Sequence, residues 1–267
     1  MAKKAVKKTA KTAKTGKGKK AAQKTPTLTS DIGLLFVFLG RLFGRIFGFL
    51  FKWLARAVLA FYALVLIAVV FYAVVNPPTT ATMVSEARRL GSIQKDWVGL
   101  EVISPHLSRA VVAAEDANFC RHWGFDVAAI REALQEGAQR GASTISQQVV
   151  KNVYLWQGRS WTRKALEGLI TPVVELVWTK RRILEVYLNV AEFDEGVFGA
   201  EAGARRYFGK AAADLTAQQG ALMATVLPNP KERSAAQPAT WMQRRAAQIA
   251  DGAATIAADG RADCFGG

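Results

Sequence analysis

The chain has 267 residues, 51% of them hydrophobic, and a formal net charge of +15. That length admits one large domain or two small ones, and the apolar share suits a globular protein with one membrane segment. The charge does not describe the whole chain: residues 1–56 hold fourteen Lys or Arg against Asp31 alone, a net +13 that leaves +2 for residues 57–267.

Residues 1–32 read as a basic, disordered cytoplasmic tail. Their first 24 positions carry ten lysines and no large apolar side chain beyond Met1 and Val6, too little to bury a core. No aromatic or Arg-rich recognition module accompanies the lysines, so nucleic acid is not an expected partner. Residues 33–56 follow as an amphipathic juxtamembrane helix. Arg41, Arg45, Lys52 and Arg56 fall on one stripe among Leu, Phe, Ile and Gly, a pattern that suits the inner headgroup layer and makes membrane lipid a partner. Gly40, Gly44 and Gly48 form a double GxxxG row, either a helix-pairing face or small residues in an interfacial helix.

Residues 57–76 are the expected transmembrane helix. AVLAFYALVLIAVVFYAVV is nineteen apolar or Tyr residues ended by Asn76-Pro77-Pro78, about the length that crosses a ~30 Å hydrocarbon core. The basic flank before the span places the N-terminus in the cytoplasm and the rest of the chain outside it. Residues 77–250 then form a single domain and 251–267 a C-terminal tail. Ser104-Pro105 reads as N-cap and first helical residue. Further helices are expected at roughly 126–138, 143–156, 161–178, 180–190, 197–207 and 216–227, with alternating strand patterns nearly absent. The fold class is therefore mainly α. Cys120 and Cys264 stand 144 positions apart with the second in a tail expected to fray, so a disulfide is not expected, although an oxidising compartment permits one. No Cys/His cluster has zinc spacing, and no metal ligand is assigned to the chain.

Three stretches carry chemistry. In VVAAEDANFCRHWGFD, Leu107, Val111 and Glu115 lie in line at i, i+4 and i+8, which leaves one flank of Glu115 poorly solvated, raises its pKa and makes it a better base. Asp116, one step round the helix, does not share that environment. The alternative is a surface carboxylate pair closing a helix. His122, between aromatic neighbours, reads as a hydrogen-bonded packing residue. In GASTISQQVVKNVYLW, Thr144, Gln147, Gln148 and Lys151 occupy i, i+3, i+4 and i+7 beside a buried Ile145–Val149–Val153 stripe, which favours a polar ligand groove over a merely solvated face. In GRSWTRKALEG, Ser160 is a candidate cap, and Arg163 and Glu167 share a face at i, i+4. Read alone this is a surface ion pair. Together with Lys151, the cations Arg159, Arg163 and Lys164 could hold a diphosphate.

EDANFCRHWGFD, GASTISQQVVKN, the RKALE stretch and RRILEVYLNVAEF, in that order from about Ser104 to Pro230 behind one anchor, resemble the peptidoglycan glycosyltransferase family, specifically its monofunctional biosynthetic transglycosylases. The resemblance implies a lysozyme-like glycosyltransferase domain, with a head and a smaller jaw partly embedded in the bacterial cytoplasmic (inner) membrane. Its implied reaction polymerises lipid II into a β-1,4-linked glycan strand with release of undecaprenyl diphosphate. On that reading Glu115 is the general base toward the acceptor's 4-hydroxyl. Glu167 helps the diphosphate leave, directly or through a divalent cation (magnesium or manganese) bound with it; no organic cofactor is implied. Lys151, Arg159 and Arg163 hold the phosphates, with Asn152 and Lys164 also counted as substrate-binding. Asp116, Phe119, His122, Ser143, Thr144, Gln147 and Gln148 line the cleft, and Glu185 and Asn189 support the helix framework with Arg181 or Arg182. Lipid II and the nascent strand are the implied substrates, with penicillin-binding proteins and the division machinery as candidate protein partners.

Gln219 departs from the family's usual Glu, although Thr216-x-x-Gln219 still makes a capping box, and the 127–140 connection is short. A lytic enzyme with the same pair of acids is the nearest rival, but it needs no phosphate-holding cations. A non-enzymatic membrane scaffold is a second. A transpeptidase is set aside, because Ser92-Ile93-Gln94-Lys95 fits SxxK but the only KTG, Lys14–Gly16, precedes it in the tail.

Overall fold

A computed structural model describes residues 28–135, 141, 143–158 and 160–266. The described residues divide into two units, one ending at Leu59 and one beginning at Ala60. One helix, α1, Leu28–Val74, covers both segments expected as separate helices. Within it, Leu35–Val74 is apolar and long enough to cross a membrane. Its 40 residues correspond to about 60 Å of helix, twice what a hydrocarbon core requires. In the first unit the large side chains stand outward: Phe36, Phe43 and Phe47 are each about 70% exposed. The tail expected over 1–32 lies outside the described residues up to position 27, and 28–32 belong to α1.

The second unit is mainly α, as expected. After α2 (Ala81–Leu90) come α3 (Pro105–Glu115), α4 (Val127–Gln135), α5 (Ile145–Tyr154), α6 (Trp161–Val177), α7 (Lys180–Val190), α8 (Ala200–Phe208), α9 (Ala217–Val226) and α10 (Thr240–Ala258). Ser104 caps α3 with Pro105 in the first turn, Ser160 caps α6 through Arg163 N, and Thr216 with Gln219 forms the capping box of α9. Each cap satisfies amides that a helix start leaves without partners. α2 and α10 are additions to the helices expected from sequence.

Helix α3 packs on α9 and α10, while α5 packs on α6 and α7. The α3–α9 contact is close because Gly220 has no side chain: a Cβ there would stand 3.0 Å from Leu107 Cα. A small sheet adds to the helices in the order β1-β3-β2. In it β1 (Gln94–Lys95) runs parallel to β3 (Val197–Phe198), with Gln94 opposite Val197, and β2 (Glu192–Asp194) runs antiparallel to β3 across a bulge. Strands of two and three residues are too short to show a period of two in sequence.

The C-terminal segment is not a frayed tail. α10 continues to Ala258, and Ile256, Ala262 and Phe265 are buried. Cys120 and Cys264 form a disulfide with Cα atoms 5.6 Å apart, contrary to the sequence expectation. Arg181 reaches Phe265 O (3.3 Å), and the Phe265 ring lies 6.5 Å from that of Phe119. Proximity in the fold, which sequence separation hides, decides whether two thiols meet.

The end of α1 is bound to the rest of its unit by polar contacts. Trp178 Nε1 donates to Val69 O (2.7 Å), and the Arg182 guanidinium donates to Tyr72 O, Val75 O and Asn76 Oδ1 at 2.8–3.0 Å. Carbonyls at a helix C-terminus lack intrahelical donors and carry partial negative charge, so a guanidinium there is well matched. Lys95 Nζ donates to Pro78 O at 2.7 Å just beyond. On α6, Trp161, Leu169 and Leu176 are exposed along one side, Trp161 at 91%, an apolar row in the unit that also holds the end of α1.

Candidate active site

Two buried positions on α3, Leu107 and Val111, set the direction of Glu115 one turn further on. Its carboxylate accepts from Gln148 Nε2 on α5 at 2.9 Å. Burial raises the Glu115 pKa; the Gln148 hydrogen bond and the charges of Lys151 and Arg245 oppose that rise, while Asp116 adds to it. Lys151 is held below its usual range by burial and next by Arg163, against the attraction of Glu167 and Glu115. The second and third stretches thus bring their charges to the same region as the base.

Glu167 on α6 is buried, 3% exposed, and both its oxygens are engaged. Arg163 Nη1 donates to Oε2 at 2.9 Å and Lys164 Nζ to Oε1, and the same Lys164 Nζ donates to Ser143 Oγ at 3.3 Å. A carboxylate shared between two cations fixes both side chains, and the three groups together carry one net positive charge. Among the described residues no three or more His, Cys, Asp or Glu side chains gather as metal ligands.

Two adjoining cavities form the groove. One is lined by Ala114, Glu115, Ser143, Gln148, Pro228 and Arg245; the other, of about 340 Å³, includes Glu86, Gln148, Lys151, Asn152, Pro228 and Lys231. Gln148 and Pro228 belong to both. The groove therefore runs from the base past Lys151 toward α2.

Several expected cleft residues also make contacts that hold the fold. Thr144 and Gln147 form the capping box of α5, Thr144 Oγ1 also donates to Gly124 O at 2.6 Å, and Thr144 lines a cavity with Glu115, Asp116 and Ser143. Asp116 is turned inward, where Oδ2 accepts from Ile145 N (3.0 Å) and Oδ1 meets His122 Nε2 (2.8 Å). His122 thus makes the kind of hydrogen bond that its neighbours suggest. Phe119 is fully buried beneath Lys180, whose Nζ lies 4.5 Å from the ring centroid. Arg159 lies outside the described residues. Of the supporting group, Arg182 pairs with Glu185 as expected, and Asn189 clamps Val98 through both its amide and carbonyl ends at 2.9–3.0 Å.

Sequence reasoning missed Arg245 and Tyr187. Arg245 lies on α10, and its sequence signal is a basic pair, Arg244-Arg245, beside the apolar positions Met242, Ala246 and Ile249. Tyr187, 1% exposed on α7, donates its hydroxyl to Gln148 Oε1 at 3.1 Å; in sequence it reads only as an aromatic core position.

The residues that line this groove fall inside the segment that matches a known family model, Transglycosylase, over residues 82–254. A biosynthetic peptidoglycan transglycosylase of Jannaschia sp. (strain CCS1) is 64% identical over 214 residues, covering 80% of this chain and 90% of the relative. Proteins of the same name are 49% identical in Rhodospirillum centenum (78% of this chain, 93% of the relative) and 48% identical in Pseudomonas fluorescens strain Pf-5 (75% and 88%). With Glu115, Lys151 and Glu167 all within the matched segment and relatives aligned over about nine-tenths of their length, the chain belongs to the transglycosylase family.

Proposed function

We propose that this protein is a membrane-anchored peptidoglycan glycosyltransferase that polymerises lipid II into β-1,4-linked glycan strands. The observation that carries the reading is a single groove in which the desolvated Glu115 carboxylate adjoins Gln148 and Lys151, with the Arg163–Glu167–Lys164 cluster close enough to bias Lys151. Glu115 takes the proton of the acceptor's sugar hydroxyl as the oxygen attacks the anomeric carbon bearing the diphosphate. The bond from that carbon to the diphosphate oxygen breaks, and the electron pair leaves with undecaprenyl diphosphate. Lys151, Arg163 and Lys164 meet the charge that develops there, an electrostatic contribution typically worth several kcal/mol. Glu167 acts on this step through Arg163 and Lys164. A magnesium or manganese ion, expected from the resemblance, would travel with the diphosphate oxygens.

A membrane anchor suits such a substrate, because drawing its lipid tail into water costs ~0.8 kcal/mol per CH₂. The apolar α1 and the exposed row Trp161–Leu169–Leu176 support placement at a lipid surface. The Cys120–Cys264 disulfide supports an oxidising compartment, hence a catalytic domain outside the cytoplasm and an N-terminus within it. In bacteria this is the outer face of the cytoplasmic membrane, where penicillin-binding proteins and the division machinery are the working partners that the resemblance suggests.

The test is full-length protein with lipid II and a divalent cation, with products resolved on a gel. Wild type is expected to build polymer. Glu115→Gln is expected to make none, at least a hundredfold below wild type, while still binding lipid II. Polymer from that variant would remove Glu115 as the base, and sugar release from finished glycan without polymer would replace the reading with a hydrolase.

A further inference from the structure

We propose that Tyr187 is a positioning residue for the base: its hydroxyl fixes which end of the Gln148 carboxamide faces Glu115. The proposal rests on Glu115 acting as the base. A glutamine amide has a donating end and an accepting end. Here Nε2 donates to Glu115 Oε2 (2.9 Å) and Oε1 accepts from Tyr187 Oη (3.1 Å). Turned round, the amide would set its oxygen against the carboxylate, two acceptors face to face. The Tyr187 hydroxyl would then have to accept from the amide, leaving its own hydrogen without a partner in the core, an outcome that is costly in a buried site. The hydroxyl makes no other hydrogen bond among the described residues. Burial holds the phenol far above its usual pKa, so it stays a donor throughout the working pH range. The chain O–H to amide oxygen, amide N–H to carboxylate, also polarises in one direction, each bond strengthening the next.

The consequence is a bias toward the ionised base. Other groups facing Glu115 are Asp116 beside it, Lys151 on α5 and Arg245 on α10; none of them is bonded to Gln148. Loss of the Tyr187 hydroxyl leaves these three in place and frees the amide to turn. The protonated form of Glu115 would then gain, because an amide oxygen accepts from a carboxylic acid but repels a carboxylate.

The experiment is the pH dependence of kcat/KM for lipid II polymerisation by the full-length protein in wild type, Tyr187→Phe, Gln148→Met and the double variant. Tyr187→Phe is expected to move the acid limb upward by about one pH unit, which is about a tenfold loss at pH values below the limb, with activity recovering above it. Gln148→Met is expected to move it in the same direction, and the double variant no further than Gln148→Met alone, since both act through one amide. An unmoved limb in Tyr187→Phe, a loss that is uniform across pH, or additive shifts would overturn the proposal. Where Tyr187→Phe fails to fold, as judged by its melting transition, Gln148→Met decides, and a limb in the wild-type position refutes the link. Glu115→Gln separates the two readings. Polymer from that variant defeats the base assignment itself, whereas its inactivity alongside an unmoved limb defeats only the role of Tyr187.

Discussion

Lys151 feels the charge of two carboxylates, Glu167 and Glu115, and burial already weakens its hold on a proton. A cation so placed gains most from an incoming dianion, so Lys151→Ala is expected to weaken binding of the diphosphate-bearing donor by tenfold or more. Acceptor binding should fall much less; equal losses in separate donor and acceptor titrations would count against the assignment. Neighbouring positions show how far single residues can be read from sequence. Glu115 is legible because a period of four links it to Leu107 and Val111, and the structure keeps that line. Thr144 and Gln147 are not, because one spacing serves two purposes. Thr-x-x-Gln at 216–219 reads as a cap, and the same pattern at 144–147 reads as half of a polar stripe, yet both close capping boxes. Which polar side chains remain for a ligand depends on which are consumed by the backbone, and that competition appears only in three dimensions. The inward turn of Asp116 is a case in point: one partner, His122, is six residues on, but the other, Ile145 N, comes from the second stretch.

Among the elements, the helices carrying the three chemical stretches appear close to their expected bounds because caps mark their starts. α10 was not legible, although Met242, Ala246, Ile249 and Ile256 are all buried along it. Its apolar face is rich in alanine, which contributes little contrast to a periodicity, and it contains Gly252. The strands escape for the opposite reason, being too short for any pattern. Where α3 meets α9 the sequence gives no hint that Gly220 is required, since helical glycines are ordinarily only a weakness. Here the absent side chain lets two backbones approach, with Leu107 Cα and N each 3.0 Å from where a Cβ would stand. Gly220→Ala is therefore expected to destabilise the domain by about 1–3 kcal/mol in chemical denaturation, despite alanine's better helix propensity. A variant as stable as wild type would show that α9 can shift without cost. Since α3 carries the base, the same variant should also lose activity.

On the scale of the whole molecule, the disulfide joins the loop following Glu115 to the segment after α10, 144 residues away. Closing so long a loop restricts the unfolded chain, so Cys120→Ser with Cys264→Ser is expected to lower stability by about 2–4 kcal/mol. Reductant should lower the Tm of wild type but leave that of the double variant unchanged; an equal response in both would mean that the crosslink contributes nothing. The loop it secures includes Asp116, which holds the start of α5 and so the helix bearing Gln148 and Lys151. Translation adds timing to this geometry. At about 5–20 residues per second, Cys264 emerges roughly 7–30 s after Cys120. Throughout that interval the earlier thiol is single and the corner beside the base has no covalent brace. A nascent polypeptide can thus fold its anchor and most of its helices while the groove stays provisional, and the groove would be braced only when the late cysteine arrives.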